Sequence, residues 1–124
     1  MGASRPEDMH KLFAAAFNSG NLESLMALYE PDACLIPQPG QVSIGHDAIR
    51  QALLQFLALK GTMQVATRYV IHGDGIALLS GQWHLKGTGP DGKSIEMGGK
   101  SVEVARRQAT GEWLLMIDHP FGAD

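Results

Sequence analysis

An acid and an imidazole stand side by side near one end of the chain, Asp118 and His119, directly after the apolar run WLLMI and directly before Pro120. Either group, placed at the end of a strand, could move a proton to or from a bound molecule. Neighbours in a strand point to opposite faces, so at most one of the two enters a shared pocket unless Pro120 breaks the strand first. Glu103 is the third candidate. It shares parity with Ser101 and Ala105, opposite Val102 and Val104. That places it either on a polar outer face, paired with Arg68 or Arg107, or alone among apolar residues, where burial would raise its pKa into a range useful for acid/base work.

Other chemistries find little support. The five histidines, His10, His46, His72, His84 and His119, show neither H-x-H nor H-E-x-x-H spacing, so no metal site is expected. The serines form no nucleophile elbow, and the glycine-rich stretch GTGPDG sits between two strand-like runs rather than before a helix. No cofactor is expected. A small-molecule pocket is a better fit. Tyr29, Gln38, Tyr69 and Trp83, with His84 beside it, could line or rim one, and Phe13, Phe17, Phe56 and Trp113 add apolar wall.

The elements that must position these residues are read from periodicity. Ser4 and Glu7 have capping-box spacing with Pro6 in the first turn, and Met9, Leu12, Phe13, Ala16 and Phe17 recur on one helical face up to Gly20. Asn21 can cap a second helix running to Tyr29 and ended by Pro31. Ala33 to Ile36 reads as a short strand, PQPGQ as a loop, and Gly45 to Lys60 as a third helix. From Thr62 the period becomes two: Thr62 to His72, Ile76 to Gly87, Ser94 to Arg107 and the final Trp113 strand form a four-stranded antiparallel meander. Ile95 and Met97 differ in parity from Val102 and Val104, which predicts a bulge at Gly98-Gly99. The plan is α+β: a cone-shaped, strongly bent antiparallel sheet wrapped on three N-terminal helices, with a pocket inside.

In the last strand, alternation puts Trp113, Leu115, Ile117 and His119 on one face and Leu114, Met116 and Asp118 on the other. Both faces are apolar. Helices can cover only the concave side, so the convex face is expected to be buried in a homodimer.

A chain of 124 residues, 44% hydrophobic and 19% charged, is expected to form one domain over 1–124 with no membrane partner. The first residues, MGASRPEDMHK, lack the apolar core of a signal peptide, and the single cysteine, Cys34, has no internal partner, so a cytoplasmic location is expected. A net charge of −3 with scattered Lys and Arg offers no stripe for nucleic acid.

The order of elements, together with AFNSGNLESLMALYEPDA, the Gly45, Ala48, Ile49, Arg50 pattern and the G-x-W of Gly111 and Trp113, resembles the nuclear-transport-factor-two-like superfamily, closest to its ketosteroid-isomerase-like and SnoaL-like (polyketide-cyclase-like) members. That resemblance implies a fold more firmly than a reaction, because the superfamily hosts isomerases, cyclases, dehydratases and non-catalytic proteins. The steroid isomerases use a tyrosine on the first helix and an aspartate after the first strand. Phe13 stands at the former position here and Ile36-Pro37-Gln38 at the latter, so that activity is not expected. In SnoaL-like cyclases an aspartate near the end of the sheet is the acid/base, and Asp118 is the matching residue. Three readings follow: a protein binding a small apolar or polyketide-like molecule with weak or no proton-transfer chemistry, a cyclase, isomerase or dehydratase using Asp118 or His119, and a dimeric accessory module without ligand. A cavity of roughly a few hundred Å³ with convergent ionisable groups would favour chemistry, and a filled cone the module.

Overall fold

The computed structural model describes residues 2–124. A single 3-10 turn, Pro6–Asp8, leads into α1 (Met9–Asn18). The capping box does not form: the residue before the turn is Arg5, without a side-chain cap, and the Glu7 carboxylate instead lies 2.5 Å from His72 Nε2. Asn21 does cap α2 (Leu22–Met26), its side-chain oxygen accepting from the Ser24 amide at 3.1 Å. This helix is shorter than its apolar pattern. Tyr29, expected at its end, instead opens β1 (Tyr29–Leu35), which pairs with the short β2 (Ser43–Ile44) ahead of α3 (Gly45–Leu57).

The remaining strands are β3 (Thr62–His72), β4 (Ile76–Thr88), β5 (Ser94–Lys100), β6 (Val102–Arg107) and β7 (Trp113–His119), in the order β2-β1-β7-β6-β4-β3 with β5 on β4. The sheet is mixed rather than wholly antiparallel, because β1 joins β7 in parallel. The local pattern could not show that pairing, since it links segments more than eighty positions apart. The three helices lie on the concave side. Their apolar stripes and the inner strand positions meet in one core that includes Phe17, Leu25, Ile49, Leu53, Leu79, Leu85 and Leu115. No helix is long and apolar enough to cross a membrane among the described residues.

No irregularity falls where the parity argument placed one. Gly98 and Gly99 stay in regular register opposite His84 and Trp83, and parity runs unbroken through Ser101 into β6. Val102 and Val104 therefore face outward, and Glu103 faces the concave side, 5% exposed. The apolar pair misled because the convex face carries an apolar row of its own. Register shifts instead interrupt β3 between Thr67 and Tyr69, the β1–β7 pairing between Tyr29 and Cys34, and β7, where Ala105 pairs with Leu115 but Val104 pairs with Ile117, leaving Met116 as the extra residue. One residue beyond a bulge reverses every later side chain. Asp118 consequently joins Trp113 and Leu115 inside, at 6% exposure, and Ile117 turns outward.

Register then defines two rows across the sheet. Val70, Leu79, Glu103 and Asp118 are successive partners on the concave side. Ile71, Leu78, Val104, Ile117, Cys34 and Ile44 are successive partners on the convex side.

Candidate functional site

The inner row ends in two carboxyls. Glu103 and Asp118 are register partners on β6 and β7, and both line a cavity of about 70 Å³ between the helices and the sheet. Its walls are apolar: Phe13 and Phe17 from α1, Leu53 and Phe56 from α3, Met63, Val65, Trp83 and Leu115 from the sheet, and Pro120 from the turn after β7. Trp83 is fixed by its indole N–H donating to the Pro120 carbonyl at 2.7 Å and by an edge-on contact with Phe121. The polar lining is limited to His10, Ser101, Glu103 and Asp118.

Each acid has its own partner. Tyr29, wholly buried at the start of β1, donates its hydroxyl to Asp118 Oδ2 at 2.5 Å. His10 of α1 lies with Nε2 2.7 Å from Glu103 Oε1 and Nδ1 2.8 Å from the hydroxyl of exposed Thr67. Room for that imidazole comes from Gly81, where a Cβ would stand 3.1 Å from two of the His10 ring atoms. Asp118 Oδ1 receives no hydrogen bond from the protein. No enclosed side-chain polar atom lacks a partner among the described residues, so this oxygen opens into the cavity.

Burial pushes the Asp118 carboxyl up from its ordinary 3.8 to about 7; the negative charge of Glu103 adds to the rise, while the Tyr29 hydroxyl and His10 oppose it. The Tyr29 phenol is itself raised well above 10, first by burial and then by the Asp118 charge. A carboxyl that gains and loses its proton near neutrality, inside an apolar space, can act as acid or base.

Of the expected site residues, the structure brings Asp118, Glu103, Phe13, Phe17, Phe56 and Trp83 to this cavity. Tyr29 stands behind it, touching it only through Asp118. The rest lie elsewhere. His119 falls on the outer side of the bulged strand, its Nδ1 accepting from the Phe121 amide at 3.3 Å. Gln38 is exposed in the β1–β2 loop, Tyr69 is exposed on β3 under the Arg68 guanidinium, and His84 faces outward 3.5 Å from Glu96. Trp113 is buried at the far end of β7, near Arg107. Glu103 is not on a polar outer face and pairs with neither Arg68 nor Arg107; Arg68 bonds Ser80 instead, at 2.9 Å. His10 was the residue that sequence pattern did not single out. It sits on the buried stripe of α1 next to Met9, and a histidine at such a position is the one available signal. Among the described residues no three His, Cys, Asp or Glu side chains converge so as to hold a metal ion.

Three helices on a strongly curved mixed sheet, with a cavity between helices and sheet, define the nuclear-transport-factor-two-like class. The family model of the SnoaL-like domain matches residues 10–115, and the chain belongs to that family. Solved structures agree on the fold. A conserved protein from Planctomyces limnophilus shares 20% identity over 90% of this chain and 88% of its own, with a TM-score of 0.80. A ketosteroid isomerase-like protein from Erwinia carotovora atroseptica shares 19% over 89% and 87%, at 0.77. A nuclear transport factor 2-like superfamily protein from Salmonella enterica serovar Typhimurium shares 13% over 89% and 82%, at 0.75. No protein of curated function matches the chain. The chain is thus a small domain of a kind that includes ketosteroid isomerase-like proteins.

Proposed function

We propose that the cone binds a compact, largely apolar molecule and exchanges a proton with it through Asp118, with no cofactor. The observation that carries this reading is the convergence of two carboxyls on one apolar cavity, with the free oxygen of Asp118 facing the space. A group titrating at about 7 can either take a proton or give one at small cost, the condition that general acid/base catalysis favours. Tyr29 holds Oδ2 and so fixes which oxygen meets the ligand. The Glu103–His10–Thr67 chain of contacts reaches from the cavity to the surface and can accept or return a second proton.

Steroid isomerisation fits poorly. A phenyl ring, Phe13, stands on the cavity wall where that chemistry requires a hydroxyl, and Gln38 lies outside. About 70 Å³ also admits only a few heavy atoms, so a polyketide-sized molecule would enter by one end, past the half-exposed rim of Phe56, Met63 and Val65.

A ligand-observed NMR screen of compact compounds tests the reading. Binding should disappear in Val65→Phe, which adds a ring at the mouth, and turnover of any hit should fall by roughly 10²-fold in Asp118→Asn. Undiminished binding to the first variant, or undiminished turnover by the second, rejects it.

A further inference from the structure

We propose that the molecule held in the cone is an organic ammonium: a compact apolar body whose positively charged nitrogen sits against Asp118 and Glu103. The inference rests on the cavity being the binding site, and it adds the charge of the occupant.

Charge balance in the lining is the first argument. Two carboxyls face one imidazole, and neither Lys nor Arg lines the space. His10 is committed on both ring nitrogens, to Glu103 and to Thr67. Glu103 therefore has a partner able to carry positive charge, whereas Asp118 has only a phenol. Once Asp118 ionises, its cavity-facing oxygen carries a charge that no protein cation touches, His10 acting on it only from a distance. An anionic occupant would add another negative charge in a space of low polarity, and a neutral one would leave the imbalance in place. An N–H donor bearing a positive charge removes it with a charge-assisted hydrogen bond.

The walls supply the second argument. The rings of Phe13, Phe17, Phe56 and Trp83 all border the cavity, and aromatic faces attract alkylammonium groups that carboxylates also hold. Volume limits the size. About 70 Å³ is near half of the ~150 Å³ cavity that accommodates benzene in another protein, so a head of roughly three heavy atoms fits, with the rest of the body leaving at the rim.

The test compares three isosteres, isobutylamine, isobutanol and isobutyrate, by amide chemical-shift titration of the whole protein between pH 6 and pH 8. The groups facing Asp118 are Tyr29 from β1, Glu103 from β6 and His10 from α1. With Asp118 titrating at about 7, isobutylamine should bind ~10-fold more tightly at pH 8 than at pH 6, and at pH 8 should exceed isobutanol by about 10-fold, with isobutyrate excluded. Asp118→Asn should erase the preference for amine over alcohol while alcohol binding survives. Isobutanol or isobutyrate binding as tightly as the amine at pH 8, or an amine affinity flat or falling with pH, overturns the ammonium and leaves the pocket standing. Binding of none of the three at any pH overturns both.

Discussion

Replacing Asp118 by Asn removes the proton-binding group and keeps the shape, so it isolates what the buried carboxyl does to stability. In the folded protein Asp118 holds its proton up to about 7; its ordinary value, which the unfolded chain approximates, is 3.8. Between these values the folded state binds a proton that the unfolded state has released. Stability of the wild type must therefore fall as pH rises from about 4 to about 7, then level off. The displacement corresponds to ~4 kcal/mol, at 1.36 kcal/mol per tenfold change in proton affinity. Asparagine has no such dependence. Below the window it forgoes the hydroxyl of a protonated carboxyl, a loss of about 1 kcal/mol. The variant should thus be about 1 kcal/mol less stable than wild type near pH 4 and roughly 3 kcal/mol more stable at pH 8. Urea unfolding of both proteins at pH 4, 5, 6, 7 and 8 gives the difference directly, and subtraction cancels the titration of groups that the two share. Because Glu103 and His10 interact with Asp118, the midpoint belongs to the cluster rather than to one residue. A pH-independent difference, or a variant less stable at pH 8, refutes the buried, uncompensated carboxyl.

Two substitutions should move the Asp118 midpoint in opposite directions, read from its carboxyl carbon by NMR: Tyr29→Phe upward from about 7, since the hydroxyl favours the ionised form, and Glu103→Gln downward, since the neighbouring charge opposes it. Shifts of the same sign contradict the assignment of causes. On the convex face, Ile44, Ile71 and Ile117 are 66%, 57% and 41% exposed within one unbroken apolar row, a surface suited to a second copy of the chain. Sedimentation equilibrium should give about twice 13.3 kDa for the wild type and near 13.3 kDa for Ile117→Lys, and a monomeric wild type rejects the dimer. Asn21→Ala should cost ~1 kcal/mol in thermal or urea unfolding through loss of the α2 cap, and an unchanged midpoint discards that role for the side chain.

The architecture was legible because its signals are local. The stripe Met9, Phe13, Phe17, the Asn21 cap and the switch to period two at Thr62 each follow from a few neighbouring residues, and each appears in the fold. A third of the expected cavity lining was legible for the same reason: Phe13, Phe17 and Phe56 lie on helical stripes whose inner side is set by periodicity. Long-range facts were not. Nothing near Tyr29 announces that it begins a strand parallel to β7, and only that pairing brings its hydroxyl to Asp118. His10 required knowing that Thr67, Gly81 and Glu103 would surround one helical position.

Glu103 and Asp118 show why parity alone left one acid open between two faces and put the other on the wrong one. An apolar inner face and a polar outer face are the default for a half-covered sheet, and on that rule Val102 and Val104 belong inside and Glu103 outside. This sheet has an apolar row outside, along Ile71, Leu78, Val104 and Ile117, and places two carboxyls inside. The exception is confined to Glu103 and Asp118: the inner positions Ala77, Ala105 and Leu115 on the same strands obey the ordinary rule. In β7 the change occurs within two residues. Leu115 packs in the core, Met116 is looped out of the pairing, and Asp118 turns inward where strict alternation from Leu115 would have presented Ile117. A one-residue bulge thus exchanges an isoleucine for a carboxyl at the wall of the cavity, at the expense of an isoleucine left 41% exposed in the single chain. Core packing alone would favour the regular strand, with Ile117 buried and Asp118 in water. A local arrangement that runs against both burial preferences at once is what the acid/base role proposed for Asp118 requires, since only the bulge brings that carboxyl to the cavity.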